Sequence, residues 1–284
     1  MGVIGQGEGH GGVSLLHALG AGYGCSIGVN LSTKVRLRDD KPGKEVEDPN
    51  GVLDAVVAVW VEAGLEKPAD ELFWQARSTV PMGVGLKSSA AIAVAAIRSL
   101  MDATKIELSN ADIVDLASRA QLDAGVSLTG SVDDSWAAVE PGWKIVNPNL
   151  PAAEGVLLEG VFVEPEDWKI LIIPRGEREL LPNPDRFSQM APQFEKAIAA
   201  MEQGSILVAL TENGRASANA LGDAQGRRLA NDLLVWGARA AGISGSGPAI
   251  AAVIPVHSEV TLRRIVQLAE QRGYTTVVTD IWVE

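Results

Sequence analysis

The hydrophobic pattern of this chain changes period several times. From Val13 to Arg38 it gives strand, glycine turn, strand: Gly20-Ala21-Gly22-Tyr23-Gly24 is a tight turn, and Leu31 to Arg38 alternates apolar and polar side chains at period two. A hairpin is predicted there. Asp48-Pro49-Asn50-Gly51 is turn chemistry, and beyond it Leu53, Val56, Val57, Trp60 and Val61 recur at the spacing of one helical face. Leu72 to Val80 suits a short strand. Ala90 to Ile97 is apolar on nearly every side, which predicts a buried helix capped by Ser88 and Ser89. Ser109 opens another helix, with Ile113, Leu116 and Ala117 on its inner face, and a polar glycine turn follows at Thr129-Gly130.

Pro, Gly, Asn and Glu cluster between Pro141 and Pro165, which predicts a boundary between units 1–155 and 156–284. The second unit offers a strand from Trp168 to Pro174, helical stretches at Arg186 to Gln203 and Gly226 to Trp236, a strand ending in Pro255, a helix from Glu259 to Arg272 and a last strand from Thr275 to Val283. Strands and helices mixed with short connections predict an α+β class.

A chain of 284 residues, 46% of them apolar, is long enough for two cores. The formal charge of −12 argues against a surface built for nucleic acid or anionic lipid, both of which need clustered Lys and Arg. The expected partner is a small molecule. Cys25 is the single cysteine, so no intramolecular disulfide forms, which fits a reducing compartment. Without a basic segment and apolar run at the N-terminus, or an uninterrupted apolar stretch of spanning length, the expected location is the cytoplasm.

The densest chemistry lies in Pro81-Met82-Gly83-Val84-Gly85-Leu86-Lys87-Ser88-Ser89-Ala90-Ala91. Gly83 and Gly85 let backbone approach a ligand, the serines offer hydroxyls, and the helix behind them aims unpaired N–H groups and its positive dipole end at the loop. Such a segment cradles phosphate, although a plain strand-to-helix turn is built from the same residue types. A Walker loop is absent, because the only Lys-Ser pair follows Leu86 rather than glycine. Gly7-Glu8-Gly9-His10-Gly11-Gly12 fits Gly-x-Gly-x-x-Gly, yet too few residues precede it for the required strand and no helical period follows. It is read as a chance match.

Two further segments stand out. Gly125 to Asp134 ends in twin acids beside the Thr129-Gly130 turn; a carboxylate there can take a proton from an attacking alcohol, or can merely solvate a turn or cap a helix. Gly242-Ile243-Ser244-Gly245-Ser246-Gly247-Pro248-Ala249 is a glycine loop before an apolar strand.

In this order the segments resemble the signatures of the GHMP kinases, the family named for galactokinase, homoserine kinase, mevalonate kinase and phosphomevalonate kinase. The run Pro-x-x-x-Gly-Leu-x-Ser-Ser-Ala-Ala resembles the second signature, with Lys87 in place of the usual glycine as in the archaeal type of shikimate kinase. Thr129-Gly130-Ser131-Val132-Asp133-Asp134 is similar to the Thr-Gly-x-x-Asp-Asp of that type, the loop at Ser244 to Gly247 resembles the third signature, and His17 to Gly28 resembles the N-terminal segment that shapes the acceptor pocket.

The resemblance implies a two-domain GHMP fold, an N-terminal domain like ribosomal protein S5 domain 2 and a ferredoxin-like C-terminal domain, with ATP and Mg²⁺ as cofactors and shikimate as acceptor. It implies a nucleotide site at Pro81, Gly83, Gly85, Leu86, Lys87, Ser88, Ser89, Ala90 and Ala91. Asp133 becomes the catalytic acid, with Asp134 as its twin. The acceptor site falls to His17, Gly22, Tyr23, Gly24, Ser244, Gly245, Ser246 and Gly247. Ser88, Ser89 and Asp123 are the expected metal ligands, Asp123 because Gln121 at the strict spacing carries no charge. Arg175, Arg98, Arg119 and Lys87 are available for an acceptor carboxylate. Homoserine kinase, and a nucleotide-binding sensor without turnover, are the alternatives.

Overall fold

The computed structural model describes residues 2–44, 46–176 and 182–283. In chain order the elements are β1 (Val3–Leu16), α1 (Ala18–Ala21), β2 (Gly24–Arg38), α2 (Val52–Glu62), β3 (Phe73–Ser78), α3 (Ser88–Thr104), α4 (Asn110–Asp123), α5 (Val132–Val139), β4 (Trp143–Val146), α6 (Ala152–Gly155) and β5 (Val156–Gly160). There follow β6 (Trp168–Ile173), α7 (Pro184–Ser188), α8 (Ala191–Glu202), α9 (Ile206–Leu221), α10 (Ala224–Trp236), β7 (Ala240–Ile243), β8 (Ile250–Pro255), α11 (Glu259–Gln271) and β9 (Val277–Thr279).

The second strand of the predicted hairpin is the centre of the first sheet. β2 pairs antiparallel with β1 along its length, with β3 beyond Thr33 and with β4 before Gly28, and β5 closes the edge on β4. The stretch between Pro141 and Pro165 therefore contains two strands of this sheet, and the expected division near residue 155 falls at the junction of α6 and β5. The glycine turn holds the single turn α1, which ends at Gly22 with φ 74°.

The glycine-rich run ahead of the hairpin is strand, which its composition hides. A Cβ at Gly5, Gly7 or Gly9 would overlap the backbone carbonyl of Ser99, Ala95 or Ala91. Bare glycine thus lets α3 lie directly on β1, and the Gly-x-Gly-x-x-Gly match has a packing meaning and no nucleotide meaning. The inner residues of α3, among them Ala91, Val94, Ala95 and Leu100, are fully buried between this sheet and helices α2, α4 and α5.

The second sheet is antiparallel with order β7-β8-β6-β9. One face packs on α10 and α11, and the other shares a continuous core with the first sheet through Ile170, Ile172, Ala251 and Val253 against Val13, Leu15 and Ile27. Helix α9, which sequence periodicity did not reveal, sits between them; Gly214 lies so close to Gly242 that neither has room for a Cβ. The helical stretch predicted from Arg186 to Gln203 is split into α7 and α8 by the turn at Gln189 and Met190. The chain end returns to the first sheet, where Ile281 bridges Val29 and Trp282 stacks on His10 with ring centroids 3.7 Å apart. Among the described residues no helix is long and apolar enough to cross a membrane.

Candidate active site

Four loops converge where the two sheets meet: the end of β1 with the start of α1, the loop before α3, the loop before α5, and the loop between β7 and β8. They line a cavity of about 510 Å³ together with Asn50 from the turn before α2.

The loop before α3 departs from the predicted serine cap. Helix α3 begins at Ser88, its N-cap is Lys87 with φ 66°, and no side chain caps it. The left-handed turn at Lys87 leaves the first N–H groups of the helix facing the cavity. Gly83 and Gly85 have φ of 69° and 92°, and a Cβ on Gly85 would overlap the Ser244 carbonyl, so the two glycine loops touch backbone to backbone. Ser244 locks that contact: its hydroxyl donates to Gly85 O at 2.8 Å and accepts from Ser14 N at 3.2 Å.

Helix α5 repeats the device. Its N-cap Ser131 has φ 52° and no side-chain cap, and Asp133 and Asp134 occupy the first turn. Two uncapped helix N-termini therefore face one cavity.

The Lys87 ammonium lies between them, 2.7 Å from Asp134 Oδ1 and donating to Ser14 Oγ at 2.6 Å. Ser26 is close to both acids, with its hydroxyl 2.8 Å from Asp133 Oδ2 and 2.9 Å from Asp134 Oδ1. Gly24 makes the space, because a Cβ there would overlap the Asp133 carboxylate. Burial, followed by the charge of Asp134, pushes Asp133 up to about 8. Burial pushes Asp134 upward too, but Lys87 outweighs it and holds that carboxyl below its ordinary value. Near neutral pH the pair thus holds one proton and one charge between its members, as coupled acids do, and Lys87 favours the charge on Asp134.

Of the expected nucleotide residues, Gly83, Gly85, Lys87, Ser88 and Ser89 line the cavity. Leu86, Ala90 and Ala91 are buried behind it, and Pro81 is outside its lining. Of the expected acceptor residues His17, Gly245 and Ser246 line it. Gly22, Tyr23, Ser244 and Gly247 do not, and Gly24 contributes by making room for Asp133.

The expectation for Asp123 is corrected. Its carboxylate accepts from Arg119 Nε at 2.9 Å and is not among the lining residues. Residues two apart on a helix lie about 200° around its axis, and Gln121 holds the inward position, accepting from the Ser89 hydroxyl at 3.0 Å. No described group of three or more His, Cys, Asp or Glu side chains is arranged to hold a metal ion.

The arginines are corrected as well. Arg98 donates to the carbonyls of Glu8 and Val139, Arg119 to Asp123, and Arg175 to Pro248 O at 2.8 Å and to the Asp223 carboxylate. Lys87 is the one Lys or Arg among the described residues lining the cavity.

Ser14 and Ser26 were not singled out from sequence. They are register partners across β1 and β2, each 2% exposed. A hydroxyl at a buried strand position, among Val13, Leu15, Cys25 and Ile27, is the signal that could have revealed them.

An ammonium, two open helix N-termini and a half-ionised acid pair around one cavity describe a site for transferring an anionic group to an alcohol. A model of the GHMP kinases N terminal domain matches residues 50–142. The chain is 32% identical over 255 residues to a shikimate kinase of Thermococcus kodakarensis, spanning 85% of this chain and 89% of the relative. It is 29% identical over 266 residues to one of Pyrococcus abyssi, spanning 90% and 93%. Among solved structures it superposes on a mevalonate kinase with a TM-score of 0.72 at 14% identity, covering 98% of this chain and 99% of that one. A homoserine kinase from Cytophaga hutchinsonii gives 0.68 at 17% identity, covering 98% and 95%. The fold is the two-domain α+β GHMP fold, and the protein is a small-molecule kinase. The chain belongs to the GHMP kinase family.

Proposed function

We propose that the chain is a shikimate kinase, transferring the terminal phosphoryl group of ATP to the 3-hydroxyl of shikimate. The observation that carries this reading is the Lys87–Asp134 pair, with Asp133 behind it, facing the uncapped start of α3 across one cavity. The names of the curated relatives supply the acceptor.

The backbone N–H groups at the start of α3, with Gly83 and Gly85, hold the phosphates of ATP, since unpaired amides and the helix dipole favour anionic oxygen. Lys87 adds a charge beside them. The acid pair takes the proton of the acceptor hydroxyl as that oxygen bonds to phosphorus and the bond from phosphorus to the ADP oxygen breaks. Lys87 favours the charge on Asp134, which leaves that carboxylate able to take the proton, and Ser26 ties it to Asp133.

Mg²⁺, when bound with the nucleotide, offsets phosphate charge during transfer. The donor set fits a metal held chiefly by phosphates and water, because Ser88 and Ser89 offer neutral hydroxyls and the inward position of α4 is the amide Gln121. The Lys87 ammonium adds positive charge beside the phosphates.

The test is a panel of acceptors with Mg·ATP, read by ADP release and by product mass. Phosphorylated shikimate is the expected result. Turnover of homoserine or mevalonate with none of shikimate would replace the acceptor while keeping the kinase, and nucleotide binding without ADP formation for any acceptor would favour the sensor.

A further inference from the structure

His17 follows β1 and caps α1, with Nδ1 accepting the N–H of Leu19 at 3.3 Å. A ring nitrogen that accepts carries no proton, so the neutral imidazole has its hydrogen on Nε2. That nitrogen lies 2.9 Å from Ser246 Oγ. The serine oxygen therefore accepts from His17, and its own hydrogen is directed elsewhere.

The ring is held in this attitude. Its centroid is 4.4 Å from that of Phe187 and 6.4 Å from that of Phe194, both fully buried. A Cβ on Gly20 would overlap the Phe194 ring, so α1 lies flat on the aromatic pair and fixes the backbone from which His17 projects.

The two serines of the β7–β8 loop then divide their work. Ser244 donates its hydrogen to Gly85 O, inside the protein. Ser246 lines the cavity beside Gly245 and His17. A carboxylic acid bound here finds few charges, because Lys87 is the one Lys or Arg of the described lining and is paired with Asp134, while Arg98, Arg119 and Arg175 are engaged elsewhere. Neutral donors among these lining residues share its recognition, and a hydroxyl that accepts an N–H keeps its own hydrogen to donate.

We infer that His17 is a positioning residue that fixes Ser246 as the hydrogen-bond donor to the carboxylate of the acceptor. The inference rests on the proposed acceptor being a carboxylic acid. It also accounts for a side chain with two ring nitrogens at position 17: the imidazole reaches both Leu19 and Ser246.

Steady-state kinetics of the full chain with shikimate and with its methyl ester test this. Ser246→Ala and His17→Ala should each raise KM for shikimate roughly ten- to hundredfold, the range of a hydrogen bond to a charged group. KM for ATP and kcat should stay within about threefold, and His17→Gln, whose amide N–H reaches the place of Nε2, should recover most of the loss. With the ester, the difference between wild type and Ser246→Ala should shrink to about threefold or less, since the charged oxygen is gone. Unchanged shikimate KM in both alanine variants would overturn the inference, as would a penalty equally large with the ester, which would move the bond to a ring hydroxyl. Thermal melting identifies any variant that fails to fold, in which case Ser246→Ala and His17→Gln decide. Absence of shikimate turnover by the wild type would remove the proposed acceptor and this inference together, whereas turnover with unaffected variants removes this inference alone.

Discussion

Lys87 Nζ sits 2.7 Å from Asp134 Oδ1, although Lys87 holds a left-handed φ of 66° that glycine adopts without cost. Backbone comfort gives way here to an ammonium at the start of α3. Lys87→Gly separates the two effects. The backbone relaxes while Asp134 loses the charge that holds it low, so kcat/KM should fall by about 10²-fold or more and its acid limb should move to higher pH. A pH–rate profile checks both; an unshifted limb at full activity would show that the pair has no catalytic part.

Asp133 and Asp134 are joined through Ser26 and share one proton. Groups that act as one unit do not contribute additively. Asp133→Asn and Asp134→Asn should each lower kcat by about 10²- to 10⁴-fold, and the double variant should be no worse than the poorer single one. Single-turnover measurements of all three decide; an unaffected single variant would dissolve the unit.

The raised Asp133 also predicts a trend in stability. Its folded value of about 8 exceeds the ordinary 3.8, so the advantage of keeping it neutral is complete below about pH 4 and is lost as pH rises toward 8. Asp134, held low, has delivered its opposite contribution by about pH 4. Wild-type melting temperature should thus decline with pH across this window more steeply than that of Asp133→Asn, as thermal denaturation of both at several pH values would reveal. Parallel curves would contradict the buried neutral acid.

Gly24 is kept bare by Asp133, because a Cβ there would overlap its carboxylate. Gly24→Ala should displace Asp133 and lower kcat by about tenfold or more while the KM for ATP holds within about threefold, since the atoms a Cβ there would meet belong to Asp133. Equal loss in both constants would point to a general disturbance of the fold.

Much of the site was legible because its residues are local in sequence. The run from Pro81 to Ala91 carries glycines, lysine and serines side by side, and the acids follow their own glycine turn. What sequence alone could not supply are relations across the fold: Ser14 opposite Ser26, Lys87 reaching Asp134, and His17 reaching Ser246. Gln121 and Asp123 were separable in principle, since only one of two residues two apart on a helix can face the site, but the preference for charge at a metal misled the choice. Strand β1 was hidden by close backbone packing through glycine at Gly5 and Gly7, which removes the side-chain alternation that marks a strand.

The central claim is that the open start of α3, beside Lys87, is the seat of the nucleotide phosphates, opposite the acid pair. A crystal structure with a nonhydrolysable ATP analogue and shikimate tests it most directly. The account predicts phosphate oxygens within hydrogen-bond reach of the backbone amides at Ser88 to Ala90, with the Lys87 ammonium beside them and the shikimate 3-hydroxyl turned to Asp134. An analogue bound elsewhere, with Lys87 and the start of α3 buried under side chains, would contradict it.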